Sequence, residues 1–167
     1  SAAFCWGQPA YGNQDGQLGI GTTAAATTPT PVAGGRTYSS IVSGQAHTCA
    51  IDKSTSALFC WGRNVFGQLG NASLPIGQAS LYPQPTPAFG GRQCSSVGLG
   101  WEVTCAILAG DSTATCSGSN YWGLLGSGST AKTSGAPQAV AGGQQWTMLS
   151  GGLSAMVGVS VDGSPAR

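Results

Sequence analysis

Six cysteines stand in a chain with little charge, and their spacing is the first chemistry it offers. Cys49 and Cys60 are eleven residues apart, as are Cys105 and Cys116, and each pair brackets a short polar stretch. A hairpin centred between Ser54 and Thr55 sets Cys49 against Cys60, and one centred between Gly110 and Asp111 sets Cys105 against Cys116. Facing residues on antiparallel strands have Cα atoms about 4.5–5.5 Å apart, which suits a disulfide. In the chain-entropy picture each such closure restricts the unfolded chain by roughly 3 kcal/mol. Buried free thiols and zinc ligation are the competing states. Zinc needs four converging ligands, and the single histidine, His47, lies two residues from Cys49 with no short cysteine pair nearby. Disulfides are the expected state, and they imply an oxidising compartment. Cys5 and Cys94 are left over: the partner of Cys5, by the same spacing, is expected upstream of Ser1, and Cys94 is either a small buried core residue or an inter-blade or inter-chain bridge.

No catalytic constellation accompanies these cysteines. A catalytic reading has to pass through His47, and neither a serine elbow nor paired carboxylates go with it. The acids Asp15, Asp52, Glu102, Asp111 and Asp162 are scattered, three of them at expected hairpin turns, where solvated turn residues are the simplest account. Gly16-Gln17-Leu18-Gly19 has the look of a phosphate loop but lacks a strand-to-helix context and a following lysine. The expectation is therefore no enzyme, no cofactor and no metal. Asn71-Ala72-Ser73 is an N-glycosylation sequon in an expected loop, and the proline–threonine stretches could carry O-linked sugar.

The elements that position these residues recur. Cys60-Trp61-Gly62-Arg63-Asn64-Val65-Phe66-Gly67-Gln68-Leu69-Gly70 is the clearest copy of a motif that occurs three times. The first copy is Cys5-Trp6-Gly7, reaching Gly16-Gln17-Leu18-Gly19 after a four-residue insertion; the third runs from Cys116 to Gly123-Leu124-Leu125-Gly126. The leading cysteines are 55 and 56 residues apart. A period of that length means stacked supersecondary units, each burying its apolar face against its neighbours. Gly34-Gly35-Arg36, Gly90-Gly91-Arg92 and Gly142-Gly143-Gln144 keep the same phase, and so do Ser43 to Ile51 and Leu99 to Ile107. The third copy of that last element has drifted: with Gly152 set against Gly44, Val157 stands where the others have cysteine, and Val103 and Ala155 stand where the first has His47.

These tryptophan–glycine, Gly-Gln-Leu-Gly and Gly-x-x-x-Thr-Cys elements resemble the repeats of the regulator of chromosome condensation family over nearly the whole chain. The resemblance implies an all-β chain folded as about three four-stranded blades of a seven-bladed β-propeller. It also implies that His47 belongs to the structural signature. The paired glycines Gly16 and Gly19, Gly67 and Gly70, and Gly123 and Gly126 are then tight turns that let the chain cross between blades. Trp6, Trp61 and Trp101 are expected to pack between blades.

Along the chain, strands are expected over 1–7, 38–43, 48–52, 57–61, 104–108, 114–117, 146–150 and 156–161, with a final turn at Asp162-Gly163. The stretch 12–35 and the insertion 73–87 are proline-rich connections confined to an edge or a surface path. The resulting organisation is a closing strand at 1–7, then repeats at 8–62, 63–118 and 119–167. The third stops short of its return strand. Three blades cannot close a ring when propellers typically have four to eight. The expectation is a segment completed by further repeats of the same polypeptide, roughly four more if seven blades hold, or by a partner chain.

Composition narrows the partners. Charged residues are 7% of the 167, and the formal net charge is +1 without a cluster of Lys or Arg. That leaves no footprint for phosphate backbones, so no nucleic-acid partner is expected. No apolar run approaches the ~18 residues of a membrane span. The leading reading is a non-catalytic extracellular or cell-surface interaction module. The alternatives are an exchange-type regulator of a small GTPase, by family analogy, and a secreted enzyme inhibitor.

Overall fold

A computed structural model describes residues 1–7, 13–78 and 80–161. The turn expected at Asp162-Gly163 lies outside them. Twelve strands follow one another: β1 (Phe4–Gly7), β2 (Ala26–Pro31), β3 (Tyr38–Ser43), β4 (His47–Asp52), β5 (Leu58–Arg63), β6 (Leu81–Pro87), β7 (Cys94–Leu99), β8 (Val103–Leu108), β9 (Ala114–Ser119), β10 (Thr133–Ala139), β11 (Trp146–Gly151) and β12 (Met156–Ser160). The described helix content is a single 3-10 turn, Phe89–Gly91. β3 to β6 form one four-stranded antiparallel sheet and β7 to β10 another, while β1–β2 and β11–β12 are two-stranded. The sheets stack as blades of a β-propeller, with β3, β7 and β11 side by side at their inner edges. Two complete blades are flanked by two half-blades.

The sheets are out of phase with the sequence repeats. Each complete blade ends on a strand that follows the Gly-Gln-Leu-Gly turn, so the outer strand lies past the expected repeat boundary. Of those outer strands, β2 and β6 lie in the two stretches that read as connections, and β10 lies where no strand is expected. Their sequences, such as Ala26-Thr27-Thr28-Pro29-Thr30-Pro31, show no apolar alternation, and their prolines cannot donate to a ladder. An edge strand pairs on one side only, so it tolerates both.

Burial follows from this layering. β4, β5, β8 and β9 have neighbouring strands on both sides and blades on both faces, and they are buried almost throughout. Between the complete blades lies the largest core, built on Ile51, Leu58, Leu69, Phe89, Val97 and Leu108. A second core joins β1–β2 to the first complete blade through Val32, Tyr38, Ala50 and Trp61. A third joins the second complete blade to β11–β12 through Val103, Leu124 and Leu125.

The turn glycines set how closely neighbouring blades approach. Gly16, Gly19, Gly67, Gly70, Gly123 and Gly126 all have positive φ. At Gly19 (φ 68°) a Cβ would run into the Trp61 indole, and at Gly70 (φ 64°) into the Phe89 ring. A side chain there would be strained by its backbone and would wedge the blades apart.

Candidate functional site

The two cysteine pairs are where the hairpins put them. Cys49 faces Cys60 and Cys105 faces Cys116 in the middle of the ladders, and both pairs are bonded, with Cα atoms 4.1 Å apart. Each bond joins the second and third strands of a complete blade inside an apolar core. Cys5 and Cys94 are free thiols. Burial pushes Cys94 up to about 11, so it stays protonated at neutral pH; burial also raises Cys5.

His47 sits at the boundary between the complete blades. Its Nε2 is 2.9 Å from Thr104 Oγ1 of the next blade, and its Nδ1 makes no hydrogen bond among the described residues. Full burial lowers its pKa from about 6.5 to about 4, so the ring is neutral. A neutral, fully buried ring with one inter-blade hydrogen bond is a tie between blades. Among the described residues no group of three or more His, Cys, Asp or Glu side chains could hold a metal. No described helix is long and apolar enough to cross a membrane.

Two sequence expectations need correction. Asp52 is not a solvated turn residue. It is buried, accepts hydrogen bonds from the backbone and hydroxyls of Ser54 and Thr55 at 2.6–3.0 Å, and pairs with Arg36 at 3.4 Å. Those donors, first the Ser54 hydroxyl, hold its carboxyl well below the ordinary range. Asp111, at the equivalent place in the next hairpin, is exposed and accepts from Thr113 N–H and Oγ1 at 2.7–3.0 Å. The tryptophans also differ: Trp61 is fully buried, but Trp6 is 60% and Trp101 39% exposed. Trp6 stands on a half-blade, and Trp101 projects from a loop rather than a strand.

One set of residues was missed. Asn13, Asn64 and Asn120 are buried at equivalent places before each turn, where the side-chain oxygen accepts from Leu18, Leu69 and Leu125 N–H. The amides donate to carbonyls of the following loop, Asn64 to Pro75 and Asn120 to Ser129 and Ala131 at 2.8–3.0 Å. These asparagines stand five residues before the leucine in every copy. That spacing was readable once the insertion after Trp6 was allowed for.

Alternating strand direction sorts the loops onto two faces. The β4–β5 and β8–β9 hairpins lie on one. The connections 44–46, 64–80, 100–102, 120–132 and 152–155 lie on the other. That second face carries exposed Ile76, Trp101, Tyr121, Trp122 and Leu153. Beside the inner strands, three equivalent loops line a groove of about 330 Å³ from Ser43 to Gln45, Leu99 to Trp101 and Gly151 to Leu153. Further out, Phe66 meets Tyr121 edge to face at 6.2 Å, Lys132 lies 5.5 Å over Tyr121, and Trp122 is 76% exposed beside them. Glu102, in the same set of loops, has its pKa raised by burial, with Arg63 opposing. Such a face suits contact with another macromolecule.

The three-fold recurrence of fold and loops is mirrored among known proteins. The Regulator of chromosome condensation (RCC1) repeat family matches residues 2–51 and 56–107, and a second RCC1-repeat family matches 38–68. The chain belongs to the RCC1-repeat family. The ultraviolet-B receptor UVR8 of Arabidopsis thaliana is 31% identical over 125 residues, covering 74% of this chain and 26% of that protein. The human protein named probable E3 ubiquitin-protein ligase HERC4 is 41% identical over 73 residues, 42% of this chain and 6% of its own length. The solved structure of Prp20p from Saccharomyces cerevisiae, described with its binding to Gsp1p and histones, superposes with a TM-score of 0.83 at 21% identity. It covers 96% of this chain and 40% of that one. The RCC1-repeat chain thus spans well under half the length of these proteins.

Proposed function

We propose that this RCC1-repeat segment is a non-catalytic protein-interaction module working outside the cell or at its surface. The observation that carries the reading is that each complete blade clamps its two middle strands with a buried disulfide. Structural disulfides persist in oxidising compartments and are rare in the cytosol. The loop face with Trp101, Leu153, Tyr121 and Trp122 is the contact surface, its exposed aromatic residues supplying anchors. Further repeats of the same polypeptide or a protein partner complete the propeller around it.

Asn71 belongs to the same reading. It is partly exposed in the loop after β5, its Oδ1 accepting from Ser73 N–H and its Nδ2 donating to Pro87 O, both at 2.9 Å. One amide hydrogen makes that bond and the other is free for a glycan. Glycopeptide mapping of chain recovered from outside the cells tests location directly. Recovery there with Asn71 modified is expected; a cytosolic, unmodified chain overturns the reading.

The exchange-factor alternative is favoured by the likeness to Prp20p, described as binding Gsp1p. Accelerated nucleotide release from a small GTPase would install it. The inhibitor alternative draws on the exposed aromatic cluster and would show as loss of a secreted enzyme's activity on mixing.

A further inference from the structure

The joint between the two complete blades is short and strained. Pro87 ends β6, the 3-10 turn Phe89–Gly91 follows, and β7 begins at Cys94. Three consecutive residues of that link are left-handed: Phe89 at φ 52°, Gly90 at 66° and Gly91 at 73°. Left-handed backbone at a bulky residue is costly and persists only where its surroundings hold it. The Phe89 ring is buried, lying where a Cβ on Gly70 would collide with it. Gly90, Gly91 and Arg92 are exposed, and a Cβ on either glycine would meet nothing within 4 Å. The Gly91 and Arg92 amides make turn bonds within the link, to Ala88 O at 3.0 Å and Phe89 O at 3.3 Å.

Against this link lies a cleft of about 350 Å³ that both blades build. Pro87 comes from the first blade, Pro137 from β10 of the second, and Phe89 and Arg92 from the joint. The loop from Gly70 to Ser73 forms the rest, so the whole Asn71-Ala72-Ser73 sequon lines the cleft. Asn71 Nδ2 donates to Pro87 O, and its Oδ1 accepts from Ser73 N–H, both at 2.9 Å. These two bonds fix the amide, so a sugar on the other Nδ2 position leaves it beside Pro87. The other copies of the repeat keep the glycine pair, as Gly34-Gly35 and Gly142-Gly143, but set Ile20 and Ser127 where this one sets Asn71. The chain holds one sequon, and it stands at this cleft.

We infer that the first N-acetylglucosamine of an Asn71 glycan seats in this cleft and bridges the two complete blades. This rests on the proposed extracellular reading, which supplies the donor, an oligosaccharide linked to a lipid diphosphate. In the transfer a bond forms between Nδ2 and C1 of the sugar, and the C1–O bond to the diphosphate breaks. Nδ2 gives up one proton as the lipid diphosphate leaves. Tether and chemistry together choose the occupant. The apolar side of the ring matches Pro87, exposed, and Pro137, half-buried. Its hydroxyls and acetamido oxygen accept from the Arg92 guanidinium, and the bare Gly90-Gly91 backbone admits it closely. Seated there, the sugar shields the amides of the link and holds its left-handed turn in place.

Hydrogen exchange of the secreted protein, read by peptide mass over 87–93, tests this beside a glycopeptide map of the same sample. Three forms are compared: the full glycan, the glycan trimmed enzymatically to one N-acetylglucosamine, and Ser73→Ala. That substitution removes the sequon but keeps the backbone N–H that Asn71 Oδ1 accepts. Exchange should be equally slow in the first two forms and several-fold faster in the third, with the β4–β5 ladder unchanged. Enzymatic removal of the whole glycan from wild-type protein repeats the comparison without a mutation. Arg92→Ala should speed exchange in the glycosylated protein and add nothing to Ser73→Ala, because the arginine acts through the sugar. Occupied Asn71 with exchange unchanged on glycan removal, faster exchange on trimming to one sugar, or additive effects of the two substitutions would each overturn the seating alone. A secreted chain with Asn71 unmodified overturns this inference and leaves the location standing; a cytosolic chain overturns both.

Discussion

The same Cys-Trp-Gly sequence lies in a central strand of the first complete blade and in the strand of the first half-blade. In the former, Trp61 is buried, its indole N–H donates to Gln17 O at 2.9 Å, and Cys60 is bonded to Cys49. In the latter, Trp6 is mostly exposed and Cys5 is a free thiol. Identical residues have opposite environments, because among the described residues β5 has a strand and a blade beside it and β1 has only β2. The repeat is a unit of sequence, and stability comes from its neighbours.

The sharpest way to break the comparison is to truncate both tryptophans. Trp61→Ala should cost about 3–5 kcal/mol in urea unfolding. Trp6→Ala, which removes a 60% exposed indole, should stay within about 0.5 kcal/mol. Similar losses would mean that β1 is as well covered as β5.

His47 sharpens the contrast by pH, since its counterparts are Val103 and Ala155. Its folded pKa of about 4 lies below the ordinary value near 6.5, so the unfolded chain binds the proton first as pH falls. The His47 contribution is therefore intact above about 6.5, shrinks by about 1.4 kcal/mol per pH unit down to about 4, and changes no further below. The described groups facing it are the neutral Thr104 and the turn at Gly44, and burial is the cause of the shift. His47→Val should flatten the slope between pH 6.5 and 4 in denaturant titrations.

The smallest contrast is between the two hairpin aspartates. Asp52→Ala should lose about 2 kcal/mol, because its buried acceptor oxygens satisfy several donors. Asp111→Ala should lose less, its partners being solvent-exposed. Asp52, with its pKa depressed, adds stability that is present above about pH 3.9 and disappears as pH falls further. That window lies below the one His47 controls, and thermal melts at stepped pH separate them.

Much of this was legible beforehand, and the reasons are specific. The disulfide pairs and inner strands showed because a period of 55–56 residues puts equivalent side chains in register, and cysteines mark hairpin symmetry. β2, β6 and β10 did not show, since edge strands need no apolar alternation and tolerate proline. Asp52 read as a surface turn residue because nothing in Asp52-Lys53-Ser54-Thr55 announces that its side chain turns inward toward Ser54, Thr55 and Arg36. Trp101 read as a packing residue because exposure depends on which loop leaves which end of the sheet, a property of topology.

Oxidised cysteine pairs hold the middle strands of both complete blades, and the proposed work outside the cell depends on them. Differential alkylation of the protein from its native source, denatured without reductant and mapped by peptide mass, tests it most directly. The expected result is Cys5 and Cys94 alkylated, with Cys49 joined to Cys60 and Cys105 to Cys116. Alkylation of all six cysteines would contradict it.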